Sequence, residues 1–72
     1  MVEILEHATI VYSDGTEERF DALRITNKGV IIGRIFSLHD GCEEFVDCGF
    51  IAQNSIKNIS NATPRIIRRT EV

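Results

Sequence analysis

His39, Asp40 and Cys42 stand together across one turn, and Cys48 and His7 complete a set of four thiol and imidazole groups. Two chemistries use such groups. A Cys-His nucleophile needs the imidazole within hydrogen-bond reach of the sulfur, inside a cleft that excludes water. A zinc site needs four donors, usually delivered as a C-x2–4-C pair with a second pair elsewhere. Neither pattern is met. No C-x2-C pair occurs, and His39 and Cys42 are separated by an Asp40-Gly41 turn that belongs in solvent. If 42–48 is one strand, six steps of roughly 3.3 Å put its cysteines about 20 Å apart, far beyond the roughly 7 Å limit for a disulfide. The two cysteines are therefore expected as buried, unbridged thiols. Glu17-Glu18 and Glu43-Glu44 are acidic pairs, and at strand starts they serve edge protection more readily than acid–base catalysis. Gly29 and Gly33 fall in a hairpin and a strand, so they make no phosphate-cradling loop. The residues predict a protein that is not an enzyme, with no metal and no cofactor.

What holds these residues is small. The chain has 72 residues, 43% hydrophobic and 26% charged, with a net charge of −3. That is enough for one domain and too apolar for disorder. No apolar run exceeds Val30-Ile31-Ile32, far short of a membrane-spanning helix or a signal-peptide core. A soluble, cytoplasmic protein without membrane contact is expected. Ordering so short a chain costs nearly all that apolar burial returns, which makes oligomerisation the natural supplement.

Turn signals recur at Ser13-Asp14-Gly15-Thr16, Asn27-Lys28-Gly29 and His39-Asp40-Gly41. The segments between them are rich in β-branched and aromatic residues, and no window sustains a helical period. Strands are predicted at 3–12, 17–26, 29–38, 43–52 and 57–60. A phase switch near Asp21-Ala22 and the glycine at 33 predict bends. Gln53-Asn54-Ser55 followed by Ile56 and Ile59 predicts a single 3₁₀ turn before the last barrel strand. The expected core is Ile10, Leu23, Ile25, Ile32, Ile35, Val46, Phe50, Ile51, Ile56 and Ile59. The fold class is all-β: a small five- or six-stranded barrel or half-barrel.

The stretch Phe50-Ile51-Ala52-Gln53-Asn54-Ser55-Ile56-Lys57-Asn58-Ile59 is similar in apolar spacing to the second motif of Sm-like proteins. Val11-Tyr12-Ser13-Asp14-Gly15 followed by Phe20 resembles the first hairpin of SH3-like and Sm-like barrels. The resemblance spans about residues 8–60 and implies the barrel fold. It does not carry the family's RNA site. Ala52-Gln53 stands where archaeal Sm proteins have Arg-Gly, and an alternative alignment that sets Gly29, Gly33 and Asp40 against the first Sm motif finds Glu44 where the RNA-contacting Asn is expected. The amino-terminal helix of that family is absent too. Fold analogy alone assigns no function.

Residues 1–62 are read as the barrel domain and 63–72 as a carboxy-terminal edge strand or tail. Pro64 suits the start of an edge strand, and Ile66-Ile67 are too apolar to idle in solvent. Arg65, Ile66, Ile67, Arg68 and Arg69 are the candidate partner-binding residues, either pairing between chains or folding back as a sixth strand with the arginines turned outward. The acidic net charge disfavours nucleic acid. The expected function is a non-catalytic interaction or assembly module whose partner is a protein or a second copy; the alternative is a small Sm-like RNA-binding protein.

Overall fold

The computed structural model describes residues 2–39 and 41–67, with the backbone alone for Val2. Six strands form one antiparallel sheet: β1 (Val2–Tyr12), β2 (Glu17–Ile25), β3 (Gly29–Ser37), β4 (Glu43–Ala52), β5 (Ile56–Ser60) and β6 (Thr63–Ile67). A 3₁₀ turn, Gln53–Ser55, precedes β5. The order is β4-β3-β2-β1-β5, with β6 also on β1, and the sheet does not close. The all-β half-barrel expected from the sequence is the fold. Among the described residues, no helix is long and apolar enough to cross a membrane.

Local chemistry makes the turns. Asp14 Oδ1 accepts from the Thr16 backbone N–H at 3.0 Å and its hydroxyl at 2.6 Å, while Gly15 takes φ +90°. These hydrogen bonds hold the Asp14 carboxyl below its usual pKa. In the second turn the Thr26 hydroxyl donates to the Gly29 carbonyl at 2.9 Å and accepts from the N–H groups of Lys28 and Gly29. The 3₁₀ turn is tied to the first hairpin, whose Ser13 N–H donates to the Ser55 carbonyl at 2.9 Å.

One fold line crosses the whole sheet. In β1, His7 has φ +55°, and on the opposite side of the ladder Asn61, level with Ala8, has φ +58°. Left-handed residues are rare inside strands, and His and Asn are among the side chains that tolerate them. Pairing resumes in unchanged register on both sides, Glu6 with Thr63 and Thr9 with Ser60. β5 and β6 are thus one broken strand following a broken β1. The ladder of β1 with β2 skips His7 and Asp21 in the same way. Between β3 and β4, Ile32 faces Gly49 but Gly33 faces Asp47, so Cys48 is the extra residue of a bulge.

Bending every strand at one line divides the core in two. Ala8, Ile10, Leu23 and Val30 form one cluster, with Leu5, Phe20, Ile51, Ile56 and Ile59 packed around it. Ile4, Ala22 and Ile67 form the other, covered by Ile35 and Phe45. Leu5 and Ala8 share a cluster although an odd step separates them; the kink at His7 reverses the alternation.

The expected core needs correction here. Ile10 and Leu23 are fully buried, but Ile25 and Phe50 are 61% and 56% exposed and Val46 is also exposed. The sheet curls over only part of each face, so period-two patterning does not say which apolar residues are covered. Ile4, Ala8, Ala22 and Val30 take their place in the interior. The expectation of buried thiols also fails: Cys48 is exposed on the bulge and Cys42 is half-buried.

Candidate interaction surface

The carboxy-terminal candidates lie on β6, which runs along the first half of β1. Its pairing is within the chain, the fold-back alternative of the sequence reading. Ile67 is buried against Ile4 and Ala22, while Ile66, pointing the other way, is 63% exposed. Arg68 and Arg69 lie outside the described residues.

Arg65 does not reach freely outward. One guanidinium nitrogen donates to Glu6 Oε1 at 2.9 Å and the other to Glu43 Oε1. Glu6 is on β1 and Glu43 begins β4, so the arginine ties the β6 edge to the far edge strand across the open side of the half-barrel. One charge of the acidic pair Glu43-Glu44 is therefore structural. The side chains remain partly exposed, 40% for Arg65, which limits the energy of the clasp. Arg65→Met should lower stability by about 1 kcal/mol in a denaturant titration. The difference should shrink at high salt, where exposed ion pairs are screened.

His39 is exposed, Asp40 lies outside the described residues, and Cys42 follows the turn closed by the Leu38 N–H donating to Cys42 O at 2.7 Å. Among the described residues, no three His, Cys, Asp or Glu side chains gather as metal ligands would. Glu18, of the other acidic pair, accepts from the Tyr12 hydroxyl at 2.9 Å. Desolvation and the neighbouring Glu18 push the Tyr12 phenol above its ordinary pKa.

What the surface does offer is apolar. Ile25, Phe36, Phe50 and Ile66 are each more than half exposed. Ile66 and Ile25 flank Glu3 in one row, since Glu3 pairs with Ile66 and Ile25 caps the adjacent strand. Beyond Gly33, β3 pairs with β4 alone. The outer side of that ribbon carries Phe36 and Val46, and its inner side carries Ile35 and Phe45. A groove of about 380 Å³ separates the β2–β3 turn from β5, lined among others by Ile25, Val30, Gln53, Ile56, Lys57 and Asn58. Sequence reasoning missed Ile25 and Phe50 as surface residues because it assigned them to the core.

No protein-family model, curated protein or solved structure matches the chain.

Proposed function

We propose that the protein is a non-catalytic interaction and assembly module whose partner is protein, its own chain included. One observation carries this reading: among the described residues, a half-barrel with two unpaired sheet edges leaves four large apolar side chains more than half exposed. A 72-residue domain has little core to spare, and exposed ladders beside apolar side chains pair readily with another chain. The groove between the β2–β3 turn and β5 is lined by no histidine, cysteine or carboxylate, which favours binding over turnover there.

A second reading, the small Sm-like RNA-binding protein, draws support from the groove beside Lys57, Gln53 and Asn58, where a phosphate or base edge would meet a cation and two amides. Salt separates the two. Contacts to phosphate weaken steeply as salt rises, whereas an association built on apolar burial and ladder hydrogen bonds does not. The expected result is self-association that persists from low to high salt, with RNA binding weak or absent at physiological salt. Submicromolar, salt-sensitive binding to uridine- or adenine-rich RNA without self-association would favour the second reading.

A further inference from the structure

The two edges of the sheet are unequally defended. On β5 and β6 the free edge carries Lys57 at an irregularity in the ladder, the left-handed Asn61 and then Pro64, which has no N–H to donate. Charges, kinks and prolines are the devices that keep an edge from pairing. The first half of β4 is protected as well, by Glu43, Glu44, Asp47 and the Cys48 bulge. Gly49-Phe50-Ile51-Ala52 has none of these. It is uncharged and unbulged, and among the described residues no strand pairs with its outer side. A Cβ placed on Gly49 would meet open space, and Phe50 is 56% exposed.

We propose that a second copy of this chain pairs with this edge, antiparallel about a twofold axis through Phe50, over Cys48–Ala52. The inference rests on the assembly reading above and names its interface. Three features select a second copy in this register. A twofold axis makes the same patch serve both partners and closes the assembly at two. Centring on Phe50 sets its ring against its own counterpart, a favourable cross-strand pair. It also sets Cys48 opposite Ala52 and keeps every acidic residue away from its like. Centring two or more residues earlier would draw the Asp47 carboxylates together and bring the two Cys48 bulges into the middle of the ladder, whereas centring on Phe50 leaves them at its two ends. In the chosen register Asp47 falls opposite Gln53 of the second copy. The Gln53 N–H donates to the Lys28 carbonyl at 3.1 Å, so each carboxylate arrives at a corner that carries a lysine.

The register is tested by a cross-link. Residues directly opposite in an antiparallel pair have Cα atoms about 4.5–5.5 Å apart, within disulfide range. The full chain carrying Ala52→Cys and Cys42→Ser, with Cys48 retained, is exposed to glutathione disulfide and run on a non-reducing gel. A covalent dimer is expected. The chain carrying Lys57→Cys with both native cysteines changed to Ser should stay monomeric, because that edge lies outside the interface. In parallel, Phe50→Lys puts two like charges on the axis and should weaken dimerisation at least about tenfold. If that variant fails to fold, the cross-link decides alone. A wild-type dimer whose Ala52→Cys variant gives no cross-link between positions 48 and 52, or a cross-link through position 57, would overturn this interface and leave the assembly reading standing. A wild-type chain that is monomeric and does not cross-link would overturn both.

Discussion

Leu23→Ala is expected to lower stability by about 2–5 kcal/mol, the range for removing a large buried aliphatic side chain without collapse of the cavity. Leu23 is fully buried and sits with Ala8, Ile10 and Val30 in the larger of the two clusters. The other buried members of that cluster come from β1 and β3, and Ala8 is too short a side chain to fill the gap. A domain of this length has total stability on the order of 4–11 kcal/mol, so the loss is a large part of the whole. The melting temperature should fall by at least about 8 °C. Phe50→Ala, measured on the monomer, should cost far less, because more than half of the ring is already in water. Equal losses at the two positions would show the division between interior and surface to be wrong.

The second large effect is expected at Gly33, where the fold line crosses β3. A Cβ there would overlap the Phe45 ring and come within 2.5 Å of the Val46 carbonyl oxygen. The oxygen belongs to the neighbouring backbone and cannot turn aside, and the ring is held in the second cluster with Ile4, Ala22 and Ile67. Moving Phe45 also disturbs Arg24, whose guanidinium lies 5.9 Å from the ring centroid. Overpacking of this kind costs about 1–3 kcal/mol. Gly33→Ala should therefore unfold at markedly lower denaturant, with the ribbon of β3 and β4 the first to lose hydrogen-exchange protection. Gly49→Ala is the matched control. It lies on the facing strand, meets nothing within 4 Å, and should change stability by no more than about 0.5 kcal/mol.

The elements were legible because their causes are local. Asp14-Gly15 and Asn27-Lys28-Gly29 sit at hairpin turns, and β-branched runs fill the strands between them. The 3₁₀ turn falls on Gln53–Ser55 as its polar triplet suggested. The bend at Asp21 was readable from the switch of apolar parity between Phe20 and Leu23, and the ladder does break there. What was not legible depends on distance. His7 and Asn61 give no turn signal, yet their left-handed backbones make the fold line. Ala8 and Ala22 are inconspicuous to a search for large apolar residues, but they occupy the interior where a curled sheet has room only for small ones. Arg65 and Glu6 are 59 positions apart in the chain, so nothing local marks Arg65 as clasped rather than free. Ile25, Val46 and Phe50 are misplaced for a related reason: alternation identifies a face, and only the curl of the sheet decides whether that face is covered.

The central claim, that this half-barrel is built to assemble, is tested most directly by sedimentation equilibrium of the pure 72-residue chain over a range of concentrations. The account predicts a mass that rises with concentration toward twice the 8.1 kDa of the single chain and does so at high as well as low salt. A single species of 8.1 kDa at every concentration would contradict it.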